Sequence, residues 1–124
     1  MDMRGYQQYK EQSITTMTQG ELLLLLFDEL MKRTTRAELA LEKQDYDLFE
    51  ASVDRCADIV RYLDDTLDRQ YPISSNLHSL YDYFCFEFSR IKAGRNGEEL
   101  RRVKPMLADL RDSFQQAEKN SGAG

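Results

Sequence analysis

The chain has 124 residues, 31% charged and 41% hydrophobic, with two prolines and six glycines; such a chain suits one soluble, helix-rich domain that buries roughly two-thirds of the surface its unfolded form would expose. Seventeen basic against twenty-two acidic side chains give a formal charge of -5, and no stretch gathers Lys and Arg into a stripe that could track phosphates, so nucleic acid is not an expected partner. The longest apolar run, Leu22 to Phe27, is too short to span a bilayer, and Met1 to Tyr9 lacks the apolar core of a signal peptide, so a cytoplasmic protein with no membrane insertion is expected.

Residues 1–17 hold Tyr6, Tyr9 and Ile14, too few large apolar groups to make a core but enough to dock against one. Thr18 with Glu21 is a capping box, so the first helix starts near Gln19. It carries Leu22, Leu23, Leu26, Phe27, Leu30, Met31, Ala37 and Leu41 at helical spacing and closes at Lys43, Gln44 and Asp45. Asp47 with Glu50 repeats the cap signal, and Phe49, Val53, Cys56, Val60, Leu63 and Leu67 mark a second helix as far as Asp68 or Arg69. Pro72 stops the chain, Ser74 or Ser75 caps a third helix, and Gly94 is its expected left-handed terminator. Asn96 with Glu99 caps the fourth helix. Its stripe is Leu100, Val103, Leu107, Leu110 and Phe114, with a bend expected at Pro105 and a frayed tail over 120–124.

Four amphipathic helices joined by short turns, with no competing strand pattern, predict an all-α fold. The simplest compact arrangement is an antiparallel up-down four-helix bundle over 18–119, with residues 1–17 as a short N-terminal capping segment. Cys56 and Cys85 lie inside helical patterns without CxxC spacing, so reduced thiols in the core are expected. Arg101, Arg102 and Lys104 are flanked by Glu98, Glu99 and Asp109, which reads as a solvated helix face.

Catalytic chemistry is missing from the pattern. Ferritin-like metal sites need inward carboxylates with Glu-x-x-His pairs, whereas His78 is the single histidine; there is no phosphate-binding glycine loop either. No enzyme activity, metal or other cofactor is expected. The alternative from a different class is a phosphotransfer module of the four-helix kind using His78, although the small and basic neighbours of such a site are replaced by Leu80, Tyr81, Asp82 and Tyr83.

What the pattern does contain is surplus apolar surface. Five leucines and a phenylalanine from Leu22 to Phe27 surround one and a half turns, which leaves Leu24 and Leu25 beyond what one stripe can bury. On the third helix Leu77, Leu80, Tyr81, Phe84, Phe88 and Ile91 form the stripe, and Tyr83 and Phe86 point elsewhere. Tyrosine suits a surface that is wet when free and dry when bound, so a groove for a helical partner is expected, covered in part by the Tyr6 and Tyr9 segment.

Tyr6 and Tyr9 ahead of the bundle, Glu21-Leu22-Leu23 leading into Leu26-Phe27-Asp28, and Asn76-Leu77 before Leu80-Tyr81-Asp82-Tyr83 together make the chain resemble the FliS family of flagellin export chaperones over nearly its whole length. The resemblance implies a cytoplasmic bundle chaperone without nucleotide or metal. Such a chaperone binds the C-terminal helical region of flagellin, blocks premature filament assembly and assists delivery to the flagellar export gate. It also implies that Tyr6 and Tyr9 cap the bundle or meet the substrate, and that Leu22, Leu23, Leu26, Tyr81 and Tyr83 occupy motif positions. By spacing, Leu26, Leu80 and Tyr81 belong mainly to the core, and Phe27, Asn76 and Leu77 are grouped with them as core or motif positions. Tyr9, Leu25 and Tyr83 are the expected surface contacts, and Asp82 caps or pairs locally. The turn Arg69-Gln70-Tyr71-Pro72-Ile73 and Pro105 depart from the family pattern.

Overall fold

The computed structural model describes residues 17–123, which form four helices: α1 Gln19–Glu42, α2 Tyr46–Asp65, α3 Ile73–Gly94 and α4 Gly97–Ala123. The segment carrying Tyr6, Tyr9 and Ile14 lies outside the described residues.

Local chemistry accounts for most of the boundaries. The Thr18 side-chain oxygen accepts a hydrogen bond from the Glu21 amide at 3.1 Å, which starts α1 where the capping box places it. At its other end the Gln44 amide bonds the Leu41 carbonyl and the Asp45 amide the Ala40 carbonyl, with Gln44 in the left-handed region at φ 60°. This is a Schellman turn. Because that turn already delivers the chain to Asp45, the cap of α2 is Asp45, whose carboxylate accepts from the Leu48 amide at 3.2 Å, and not Asp47.

The second helix stops at Asp65, short of the expected Asp68 or Arg69. The Thr66 hydroxyl donates to the Leu63 carbonyl at 2.7 Å, and the Leu67 amide reaches the Asp64 carbonyl, tightening the last turn. Neither Ser74 nor Ser75 caps α3. The helix begins at Ile73 directly after Pro72, without a side-chain cap, and Ser74 is buried in its first turn. Gly94 is not the left-handed terminator either. Arg95 takes that conformation, at φ 49° and ψ 46°, in a second Schellman turn in which Asn96 bonds Ile91. Its guanidinium lies over the Tyr46 ring, 3.7 Å from the centroid, an attraction that offsets the steric cost of a left-handed side-chain-bearing residue. Asn96 caps α4 through the Glu99 amide at 3.0 Å, as the sequence predicts. Helix α4 runs unbroken through Pro105 and on to Ala123, past the boundary expected at 119.

The packed helix pairs are α1 with α2, α2 with α3, α3 with α4, and α4 with α1, so α1 and α3 sit on a diagonal. Chain order reverses across the seams. Asp28 pairs with Arg111 and Glu38 with Lys104 between α1 and α4, while Asp54 pairs with Lys92 and Asp64 with His78 between α2 and α3. The pairs run in opposite chain order across these two seams, and the fold is the helical bundle the periodicity predicts.

The core is built on Phe27 and Leu30 of α1, Phe49, Val53, Val60 and Leu63 of α2, Tyr81, Phe84, Phe88 and Ile91 of α3, and Leu100, Val103 and Leu107 of α4. Each large apolar side chain here contributes about 1.5–3 kcal/mol by leaving water. The α3–α4 seam is the least extensive of the four. It is crossed by a polar set in which the buried Glu87 faces Arg90 at 3.2 Å and Arg102 at 3.7 Å. Cys56 is fully buried and Cys85 half-buried, and both are free thiols, as expected.

Candidate functional site

The seam between α1 and α2 leaves an open apolar groove at the end where α1 begins. Leu22 and Leu26 of α1 face Ile59 and Tyr62 of α2 across it, with Arg55 and Asp58 along its edge. Leu25 stands on the same outer side of α1 with 40% of its surface in solvent, and Tyr62 is 46% exposed. Leu23 and Leu26 touch the core from its margin while Phe27 closes it, so the leucine run does exceed what one helix buries. Leu24 is half-buried.

A second groove follows the α3–α4 seam. Leu80 and Phe84 supply its floor and near wall, Met106 and Leu110 its far wall, and Asp109 and Ser113 its rim.

The residues expected to make one surface do not come together. Leu22, Leu24 and Leu25 lie on α1 and Tyr83 and Phe86 on the diagonal α3, with no seam between those helices to join them. Tyr83 is turned toward α4. Its hydroxyl accepts a hydrogen bond from the Arg102 guanidinium at 2.6 Å, and its ring packs against Phe84 with centroids 5.7 Å apart. Arg102 also grips Glu99, and that hydrogen bond holds the Glu99 carboxyl down at about 2. Tyr83 is thus half-buried in a helix seam and not a free surface ring. Phe86 is 60% exposed on the outside of α3, with the Arg90 guanidinium 5.8 Å from its centroid. Tyr81 is core, as spacing predicts, and burial pushes its phenol up to about 12 with the Asp64 charge adding to the shift. Leu77 and Leu80 pack at the core margin and Asn76 is exposed.

Sequence reasoning missed Ile59 and Tyr62. They sit three residues apart on α2, just off the stripe of Cys56, Val60 and Leu63, and so had the same off-stripe signature as Leu25. Met106 fell between the stripe positions Val103 and Leu107 and was passed over for that reason.

Among the described residues, Asp64, His78 and Asp82 are the one set of carboxylate and imidazole groups close enough to share an ion. The imidazole lies between the two carboxylates, hydrogen-bonded to Asp64. Nδ1 of His78 meets Asp64 at 2.7 Å and Nε2 lies 3.3 Å from Asp82, and one ligand atom from each of the three lies within 4.8 Å of the others. The same geometry is adverse to phosphoryl transfer. Both ring nitrogens are engaged, and an incoming phosphoryl dianion would meet two carboxylates. No helix among the described residues is long and apolar enough to cross a membrane.

The family model described as Flagellar protein FliS matches residues 2–121. A Bacillus subtilis (strain 168) protein named flagellar secretion chaperone FliS is 28% identical over 112 residues, covering 90% of this chain and 84% of that protein.

Proposed function

The chain belongs to the FliS family of flagellar proteins, and from that premise we propose that it is a non-catalytic cytoplasmic export chaperone whose cargo is flagellin. The segment bound is the C-terminal helical region, held so that it cannot polymerise early and is delivered to the flagellar export gate. The observation that carries the reading is the open α1–α2 groove, where Leu22, Leu26 and Tyr62 stand over the buried Ile59 and the exposed Leu25 adds apolar surface on α1. A helix with apolar groups at i, i+3, i+4 and i+7 fits such a seam. Burying those groups in a foreign groove removes the faces through which filament subunits would associate. The α3–α4 groove at Leu80, Met106 and Leu110 gives a second place for the same kind of segment. Tyr83 acts here as a positioning residue, bracing the seam through Arg102.

Leu25→Ala with Tyr62→Ala is the test. Both side chains are substantially exposed, so the melting transition should hold nearly constant while affinity for a labelled C-terminal flagellin fragment, read by fluorescence anisotropy, falls at least tenfold. Unchanged affinity would remove this groove as the binding site, and equal loss of folding and binding would make the two residues structural.

A further inference from the structure

Four turns along α1 from Leu25, the α1–α2 seam changes character. Leu39 of α1 and Leu48 of α2 stand on either side of the small buried Ala40, with 50% and 41% of their surfaces in solvent. Lys32 and Arg36 of α1 and Lys43, the residue that caps its C-terminal end, line the same depression. All three are exposed, and none lies within ion-pair distance of a carboxylate among the described residues. By contrast Arg33, Arg61, Arg102 and Arg111 are each tied to an acid. The one carboxylate on the rim, Asp45, is already engaged with the Leu48 amide as the cap of α2.

A chain carrying a net charge of -5 thus presents, around two exposed leucines, three cations without an ion-pair partner among the described residues. Cations at 32, 36 and 43 with leucine at 39 are spaced to share one helix face, and the facing helix closes the other wall. We propose that this end of the α1–α2 seam is a second docking face, whose occupant is an amphipathic helix of another protein with an apolar stripe bordered by Glu or Asp. The leucines take the stripe across the floor at Ala40, and Lys32, Arg36 and Lys43 pair with the flanking carboxylates. Charge complementarity steers the encounter and sets the orientation, and the leucines supply the apolar burial. A long flexible anion would use the cations and leave Leu39 and Leu48 in water, which is why a helix is the occupant. The site stands about 20 Å from Leu25 along α1 at 1.5 Å per residue, so it does not depend on the flagellin reading.

The probes are two synthetic helices with the same leucine stripe, one flanked by glutamate and one by lysine, titrated into the full chain and followed by amide chemical shifts. The glutamate helix should bind at least tenfold more tightly than the lysine helix, weaken steeply with added salt, and shift signals of α1 from Lys32 to Lys43 together with Leu48. Lys32→Glu with Arg36→Glu should reverse the preference, and Leu39→Ser should weaken the glutamate helix while leaving the salt dependence in place. All of these positions are exposed, so each variant should fold. Equal binding of the two helices, shifts centred elsewhere, or a charge-reversed variant with unchanged preference would overturn the proposal. Preferential binding to vesicles of anionic lipid that needs neither Leu39 nor Leu48 would overturn it as well.

Discussion

Phe84 and Phe86 stand two residues apart on α3 and differ in what surrounds them. Phe84 is fully buried in the core cluster, whereas Phe86 is 60% exposed with the Arg90 guanidinium 5.8 Å from its ring centroid. Phe84→Ala leaves a cavity that the bundle cannot fully close, and should cost about 3–5 kcal/mol in denaturant unfolding. Phe86→Ala should cost less than about 1 kcal/mol. Two buried acids make a second prediction at this scale. Burial pushes the Cys56 thiol to about 12 and the Tyr81 phenol to about 12, above their ordinary values of 9.0 and 10.0. The native state therefore keeps protons that the unfolded chain releases, and that contribution is whole below pH 9 and is lost as pH rises toward 12. Cys56→Ala with Tyr81→Phe should flatten the alkaline fall in urea midpoint; an unchanged slope would assign the fall to other groups.

Among the elements, α4 is the least securely held. It packs on α1 and, more thinly, on α3, and Pro105 supplies no amide to its own ladder, whereas α2 is clasped by both neighbours and buries Phe49, Val53, Cys56, Val60 and Leu63 along one face. Native-state hydrogen exchange should show the strongest protection in α2 from Phe49 to Leu63 and earlier opening in α4; uniform protection across the four helices would contradict this ranking. Helix starts at Thr18 and Asn96 were legible because a cap is a contact between residues three apart. The other ends were less so. Asp45 rather than Asp47 caps α2 because the preceding Schellman turn ends there, and the left-handed place falls on Arg95 instead of Gly94 because Tyr46, remote in sequence, lies under its guanidinium. Such partners appear only once the helices are assembled.

For the whole molecule, the periodicity of the four stripes was enough to predict the bundle, because few compact arrangements bury four such faces. The excess of apolar groups at Leu22 to Phe27 was legible for the same reason. What one dimension could not supply was adjacency. Leu25 and Phe86 both lie off their stripes, yet they belong to diagonal helices, while Leu22 and Leu26 meet Ile59 and Tyr62 across the α1–α2 seam. Tyr83, the expected contact, is drawn into the α3–α4 seam by Arg102. The open apolar grooves therefore follow helix seams and not the off-stripe residues of each helix taken singly.

Calorimetric titration of the full chain with the C-terminal helical region of flagellin, repeated across temperatures, tests the proposal that an apolar helical segment of flagellin folds into the open seams of this bundle. Burial of apolar surface with ordering of the ligand predicts tight binding with a large negative heat-capacity change, diminished in the Leu25→Ala, Tyr62→Ala protein. Absence of binding at every temperature by a folded chain, or binding with no heat-capacity change, would mean that flagellin does not fold into these seams.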